Sequence, residues 1–196
     1  NLISKVRLLS QVPVIVHLKG RKPEERDEGA GRTESPSRVI ALASSTGGPK
    51  QLPAFLALLP QGLPCSLLIV QHIAKGFSDG FATWLDTHLP FDVSLARDGD
   101  TMRPGRVLIA PDGFHTYLEG GVVRLGEDPP INSCKPSVDA LFTSAARTLR
   151  ERVIGVLLTG MGTDGAEGAQ EVREHQGHVI VQDEESCVVF GMPRAA

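Results

Sequence analysis

Residue types that together support nucleophilic catalysis follow three different apolar runs of this sequence. Ser44 and Ser45 come directly after the first of these runs, and His72 comes directly after the second. Asp164 lies a few positions beyond the end of a third run. A neutral imidazole can accept the proton of a serine hydroxyl, and a carboxylate beside the other ring nitrogen fixes the tautomer. The sequence therefore contains candidates for a nucleophile, its general base and the acid that orients the base.

Each of these residues also has a simpler interpretation. A serine after a strand is commonly the N-cap of the next helix. A histidine at a strand end is commonly a hydrogen-bonded structural residue, and Asp164 at the start of a helix is favoured by the helix dipole. Taken one at a time, the residues leave both interpretations open, and only their arrival at one edge of a sheet favours chemistry.

The segment GMGTDG, residues 160–165, offers a competing hypothesis. It has the G-x-G-x-x-G spacing of a dinucleotide-binding turn, and Asp183 follows at the distance of a ribose contact. Against this, Asp164 would place a negative charge in the helix turn that should hold a pyrophosphate. The motif also lies late in the chain, which leaves little sequence for the rest of a nucleotide-binding domain.

The pattern of the chain predicts the elements that would position these residues. Continuous apolar runs, typical of strands covered on both faces, occur at 39–43, 66–71, 106–111, 153–159 and 178–183. Helical patterns occur at about 49–59, 77–88, 137–150 and 165–176. We expect an α/β fold with a doubly wound, mostly parallel sheet, helices on both faces and a small hairpin turning at Gly120-Gly121. Ligands of such folds bind beyond the carboxyl ends of the strands, where Ser45, His72 and Asp164 would meet.

Composition narrows the class of protein. The 196 residues are 41% hydrophobic and 22% charged with a net charge of −3, and no long basic run occurs, which argues against nucleic acid as a partner. No apolar run approaches the roughly 20 residues of a membrane span, so no membrane insertion is expected. The three cysteines (Cys65, Cys134, Cys187) are widely spaced without a C-x-x-C pair. They predict a reducing, cytoplasmic location and packing roles rather than a disulfide or a zinc site.

Residues 1–37 differ from the rest of the chain. Ten of the nineteen residues in 19–37 are charged, and Ala30 is the one apolar side chain there. Such a segment buries too little surface to offset the entropy of ordering it. We expect residues 1–37 to be a helical remnant and a linker, 38–196 to be the folded domain, and the chain, which begins at Asn1, to be part of a longer protein.

Several segments also carry a resemblance to a known family. The segments are ASSTGGP, IVQHIAKGF, PGRVLIAPDGFH, KPSVDALFTSAA, VLLTGMGTDGAEG and CVVFGMPRAA. These segments occur in the order found in the chemotaxis protein-glutamate methylesterases. Over residues 38–196, the sequence resembles that family. The resemblance implies a cytoplasmic serine hydrolase that removes methyl groups from glutamate γ-methyl esters of receptor signalling helices and also deamidates receptor glutamines. It places the catalytic serine, histidine and aspartate on Ser45, His72 and Asp164, and thus assigns GMGTDG to catalysis.

The same resemblance implies the surroundings of the site. We expect backbone N–H groups near Thr46, Gly47 and Met161 to stabilise the oxyanion, with no metal or cofactor, and Ser44 to be a packing or hydrogen-bonding neighbour. The chain carries Ala43-Ser44 where members of the family commonly carry Gly-Ala. The expected partners are methylated receptor helices and a receiver domain that precedes the linker in the family. A dinucleotide-binding module and a non-catalytic output domain that only docks are the alternatives.

Overall fold

A six-stranded parallel sheet forms the centre of the computed structural model, which describes Ser4 and residues 38–196. Its strands are β1 (Arg38–Ser44), β2 (Cys65–Gln71), β3 (Asp92–Leu95), β4 (Arg106–Ile109), β7 (Val153–Leu157) and β8 (His178–Val181). A separate antiparallel hairpin consists of β5 (His115–Glu119) and β6 (Val122–Gly126). The predicted helical remnant and linker lie in residues 1–37, outside the described residues apart from Ser4.

The strand order of the sheet is β3-β4-β2-β1-β7-β8, so β1 lies between β2 and β7. In the register, Ser44 pairs with Gln71 on one side and Ala43 pairs with Leu157 on the other. The chain therefore leaves these three strands at the same edge of the sheet. Ser45 and His72, which follow β1 and β2 directly, become neighbours for this reason.

Helices cover both faces of the sheet. They are α1 (Gly48–Ala57), α2 (Ser78–His88), α3 (Val138–Leu149), α4 (Ala166–Glu174) and a short α5 (Met192–Ala195), with a 3₁₀ turn at Arg150–Arg152. Alternate residues of β1 point to opposite faces: Ile40 and Leu42 pack with α1 and α2, whereas Val39 and Ala41 pack with α3 and α4. All of β1 is buried, which explains its continuous apolar sequence.

The doubly wound fold predicted from the sequence is confirmed, with each predicted strand and helix present to within a few residues. The hairpin is also confirmed, and Gly120 and Gly121 both have positive φ angles, 58° and 94°, as a tight two-residue turn requires. The prediction missed β3, a four-residue edge strand in which only Val93 is buried. In the described part of the chain, no helix has the length and apolar character needed to cross a bilayer.

Candidate active site

A cleft of about 420 Å³ opens at the edge of the sheet where β1, β2 and β7 end. Its lining comes from the turns after these strands and from the loop before α3. The lining residues are Ser45, His72, Ile73, Asn132, Ser133, Cys134, Lys135, Pro136, Met161, Gly162, Thr163 and Asp164. The structure thus brings the three residues singled out from the sequence into one cavity.

Ser45 is held by the backbone of the strand next to it. Its N–H donates to the carbonyl oxygen of Thr159, at 3.0 Å, and its side chain is partly exposed to the cleft. Gly160 lies against it so closely that a Cβ added there would come within 2.9 Å of the Ser45 Cβ. Gly47 then turns the chain into α1 with a φ of 86°, a conformation that glycine adopts without strain.

His72 lines the same cleft as Ser45 and Asp164. Its N–H donates to the carbonyl oxygen of Ser44 at 2.9 Å, so its backbone continues the β1–β2 pairing by one residue. Its ring Nε2 lies 2.9 Å from Asp164 Oδ2. The carboxylate stands off the axis of the ring N–H, so this is a close contact between the two groups rather than an aligned hydrogen bond. No hydrogen bond joins Ser45 Oγ to this ring among the described residues, and such bonds often tighten only when substrate is bound.

The Asp164 carboxylate is buried against the N-terminus of α3. Its oxygens accept hydrogen bonds from Ser137 Oγ at 2.7 Å, from the Val138 N–H at 2.8 Å and from the Asp139 N–H at 3.2 Å. Burial acts to raise the pKa of Asp164, but the contact with His72 and these hydrogen bonds outweigh it and hold the pKa below its usual value. Asp164 is therefore a fixed negative charge beside the imidazole.

Gln71 connects the backbones on either side of the cleft edge. This buried side chain donates through Nε2 to the carbonyl oxygens of Ser45, at 3.1 Å, and His72, at 2.8 Å. Its Oε1 accepts a hydrogen bond from Ser44 Oγ. A side chain on Gly48 would collide with this amide, so glycine is required there. One glutamine thus fixes the relative positions of the two residues.

A second buried carboxylate, Asp139, lies next to Asp164. It accepts a hydrogen bond from the Gly168 N–H, at 2.7 Å, and one from Asn132 Nδ2, at 2.8 Å. Burial raises the pKa of Asp139, and the negative charge of Asp164 adds to this, although the N–H groups of Gly168 and Gly165 oppose it. A protein carboxylate thus occupies the first turn of α4, where the dinucleotide hypothesis would place a pyrophosphate.

Cys134 was expected to be a packing residue, and this expectation is wrong. Its Sγ lies 3.8 Å from His72 Nδ1, inside the cleft. Burial and the nearby charges of Asp164 and Asp139 raise the pKa of the thiol to about 11. No local pattern indicates this contact, since His72 and Cys134 are 62 positions apart and reach one another only through the fold.

The residues expected to form the oxyanion hole divide into two groups. Met161 lines the cleft, and its side chain is 72% exposed at the rim. Thr46 and Gly47 follow Ser45 but do not contribute to the lining of the cleft. That the backbone N–H groups at these three positions are the oxyanion donors stays a prediction.

His115, the first residue of β5, does not line the cleft. The ring is fully buried, with Nε2 2.9 Å from the Pro129 carbonyl oxygen, while Nδ1 accepts a hydrogen bond from the Ser137 N–H at 3.2 Å. His115 therefore supports the loop that carries Ser137, and it does not face the cavity.

Sequence reasoning missed the residues that support the site. Ser137 and Asp139 open α3, where serine and aspartate usually satisfy their own helix, and Gln71 closes a strand as any polar residue could. The run KPSVD, in which polar residues flank the start of a helix that is otherwise buried, is the signal that could have indicated Ser137 and Asp139. No such signal exists for Gln71.

Comparison with known proteins places this site in a family. The family model described as CheB methylesterase matches residues 40–196. A protein-glutamate methylesterase/protein-glutamine glutaminase of Anaeromyxobacter dehalogenans is 48% identical over 98% of this chain and 56% of the relative. The protein-glutamate methylesterase FrzG of Myxococcus xanthus is 40% identical over 98% of this chain and 58% of the relative. The chain thus spans a little over half the length of these relatives.

A solved structure shows the same fold. The crystal structure of the Thermotoga maritima CheB methylesterase catalytic domain aligns with a TM-score of 0.77 and 40% sequence identity. The alignment covers 81% of this chain and 86% of that chain. This chain belongs to the CheB methylesterase family.

Proposed function

We propose that the chain is a serine hydrolase that removes methyl groups from glutamate γ-methyl esters of chemoreceptor signalling helices, with release of methanol, in sensory adaptation. The observation that carries the proposal is the buried Asp164 carboxylate 2.9 Å from His72 Nε2, in a cleft shared with Ser45. The relatives named as protein-glutamate methylesterases support the choice of substrate.

The first half of the reaction transfers the acyl group to Ser45. The contact between Asp164 and Nε2 of His72 favours the tautomer with its proton on Nε2, which leaves the lone pair of Nδ1 as the base. Nδ1 takes the hydroxyl proton as Ser45 Oγ attacks the ester carbonyl carbon. The tetrahedral intermediate then collapses, the C–O bond to the methoxy group breaks, and the imidazolium returns the proton so that methanol leaves.

The second half of the reaction releases the product. His72 takes a proton from water as the water oxygen attacks the acyl carbon, and the proton is then delivered to Ser45 Oγ as the acyl bond breaks. The products are a glutamate side chain and the free serine. A glutamine side chain enters the same sequence with ammonia in place of methanol, which accounts for a glutaminase activity like that in the names of the relatives.

The Asp164 charge matters most while His72 carries two protons. The imidazolium forms 2.9 Å from a buried carboxylate whose pKa is held below its usual value, so its counter-ion is already in place. The charge requires no reorganisation when the transition state forms. The chemistry needs only the protein's own side chains and water.

The proposal includes partners and location. Receptor helices that present a methylated glutamate would reach Ser45 across the rim where Met161 is exposed. The relatives are nearly twice as long as this chain, and we assign part of that additional length to a receiver domain, as the family resemblance implies. Receptor signalling helices lie in the cytoplasm, so the proposal places the enzyme there.

Methanol release from methylated receptor by the purified chain tests the proposal. We expect release by the parent chain and loss of release in Ser45→Ala, with the fold of the variant unchanged by circular dichroism. A folded parent chain that releases no methanol and no ammonia would overturn the proposal and favour a domain that only docks on a partner. Calorimetry with NAD provides the control for the dinucleotide hypothesis, and we expect no binding.

A further inference from the structure

Cys134 adds a third potential metal ligand to the His72–Asp164 pair. The thiol lies 3.8 Å from His72 Nδ1, and the ligand atoms of His72, Cys134 and Asp164 all lie within 4.8 Å of one another. The three come from separate turns of the fold, one after β2, one before α3 and one after β7. Imidazole nitrogen, thiolate sulfur and carboxylate oxygen are the three donors that proteins use for zinc.

The charge around these atoms also favours a cation. Asp164 and Asp139 are 2% and 5% exposed, so water screens neither carboxylate well. Lys135 is the one lysine or arginine in the described lining of the cleft, and its Nζ donates to the Glu127 carbonyl oxygen at 2.8 Å. Among the described residues, no lysine or arginine forms an ion pair with either buried carboxylate.

We propose that the cleft binds a borderline-soft divalent cation of the Zn²⁺ type through His72, Cys134 and Asp164, and that the bound ion inhibits the hydrolase. The inhibition rests on the proposed function, whereas the binding does not. On binding, the thiol proton passes to solvent, the thiolate and an imidazole lone pair bond to the ion, and a carboxylate oxygen completes three protein ligands.

One of the separations, that between the thiol and the imidazole, already fits such an ion. Bonds of about 2.3 Å to sulfur and 2.0–2.1 Å to nitrogen at a tetrahedral angle separate the two ligand atoms by about 3.6 Å. The observed separation between Cys134 Sγ and His72 Nδ1 is 3.8 Å. The loop that carries Cys134 is partly exposed, so it can make the small movement that brings the remaining atoms to bonding distance.

The donor set selects the class of ion. Mg²⁺ and Ca²⁺ prefer oxygen ligands, whereas thiolate and imidazole favour Zn²⁺ and its neighbours in the first transition row. Three protein ligands leave a fourth position open toward the cleft. The ion inhibits because an imidazole nitrogen that bonds to a metal cannot accept the proton of Ser45, so metal binding and ester hydrolysis exclude one another.

Binding is tested directly with Co²⁺ and Zn²⁺ on the 196-residue chain, stripped of metal with a chelator that is then removed. We expect one equivalent of Co²⁺ to produce a thiolate-to-cobalt charge-transfer band that Zn²⁺ displaces. Cys134→Ser should remove the band and weaken Zn²⁺ binding at least about tenfold, since even ligand-supporting residues contribute that much. Cys187→Ser is the matched control, because Cys187 is also partly buried but lies outside the cleft, and the band should persist.

Inhibition is tested by methanol release against Zn²⁺ concentration, with each variant compared with its own metal-free rate. We expect the half-inhibitory concentration to rise at least about tenfold in Cys134→Ser and to stay unchanged in Cys187→Ser. A charge-transfer band that survives in Cys134→Ser, or no binding at all, overturns the site. Binding through Cys134 without inhibition overturns the inhibitory role. A chain with no esterase activity that still binds Co²⁺ through Cys134 would overturn the proposed function and leave the metal site standing.

Discussion

Ser44 Oγ donates a hydrogen bond to Gln71 Oε1 across the pairing of β1 and β2, at 2.5 Å. Each of these two residues directly precedes a residue that we place in the chemistry, Ser45 in one case and His72 in the other. The two adjacent serines thus have different neighbours. Ser44 is fully buried and bonded to the sheet, whereas Ser45 faces the cleft.

The two serines should therefore respond differently to removal of their hydroxyls. Ser45→Ala should lower methyl-ester hydrolysis by at least about a thousandfold, as loss of a nucleophile does, with little change in stability. Ser44→Ala leaves the Gln71 oxygen without its partner, and should lower the free energy of unfolding by about 1–3 kcal/mol with a far smaller effect on rate. Methanol release and urea unfolding of both variants provide the check, and a reversed order of the rates would contradict the assignment.

Gln71 should be a positioning residue for both partners. Gln71→Leu keeps a similar volume but removes the bonds to the Ser45 and His72 carbonyl oxygens, so we expect kcat to fall about a hundredfold with KM little changed. Gln182→Leu is the matched control. Gln182 is also a buried glutamine and directly follows β8, but it bonds to Thr159, Gln51 and Ser186. If Gln71→Leu and Gln182→Leu lower kcat equally and lower the free energy of unfolding equally, then Gln71 acts through the fold alone.

The two buried carboxylates should give opposite pH trends in stability. The pKa of Asp164 is held low, so its ionised form stabilises the fold above the unfolded-state pKa of about 3.9, and this is lost as pH falls through the folded-state pKa. Asp164→Asn should thus be most destabilising at neutral pH. The pKa of Asp139 is raised, so the parent chain loses stability as pH rises through that pKa. The stability of Asp139→Asn should therefore increase relative to that of the parent over the same rise in pH.

Urea unfolding of the parent chain and both variants at a series of pH values between about 3 and 8 measures these trends. The same direction of change in the two variants would contradict the assignment of the two pKa shifts. Asp164→Asn should also lower turnover severely with the fold intact, because the amide favours the wrong tautomer of His72.

Regulation by a receiver domain gives a further expectation. The family resemblance implies an unphosphorylated receiver that covers the cleft, and phosphorylation that shifts the population toward an open form. The 196 residues expressed by themselves should hydrolyse receptor methyl esters without a phosphodonor, and acetyl phosphate should leave the rate unchanged. Methanol release is compared with that of the same 196 residues joined to an unphosphorylated receiver domain. A slower rate for the 196 residues would mean that the receiver helps to build the site.

Much of the fold follows from the sequence because fully buried parallel strands have an unmistakable pattern. Residues 39–43 are continuously apolar, and β1 is buried on both faces, so pattern and environment agree. The edge strand β3 was not predictable in this way, since the four residues DVSL bury only Val93 and read equally well as a loop.

The site was predictable only as far as strand ends determine it. Because parallel strands end at one edge, the positions after β1, β2 and β7 were expected to meet, and Ser45, His72 and Asp164 do line one cleft. Cys134 reaches the same cleft on a loop before α3, and the path of a loop is set by packing that no local pattern records. The contact between Cys134 and His72 could therefore not be predicted from their spacing in the sequence.

The backbone hydrogen bonds of Ser45 and His72 determine which parts of the site can open independently. Both amide hydrogens belong to the ladder at the end of the central strands, bonded to Thr159 and Ser44, and so they can exchange with solvent only when those strands separate. The Cys134 amide is bonded within its own loop, to Ile131, and can open locally. Native-state hydrogen exchange should therefore show Ser45 and His72 exchanging with the free energy of global unfolding and Cys134 much faster. Nucleophile and base then belong to the most stable cooperative unit of the chain, while the wall of the cleft that carries the thiol can open and close without them.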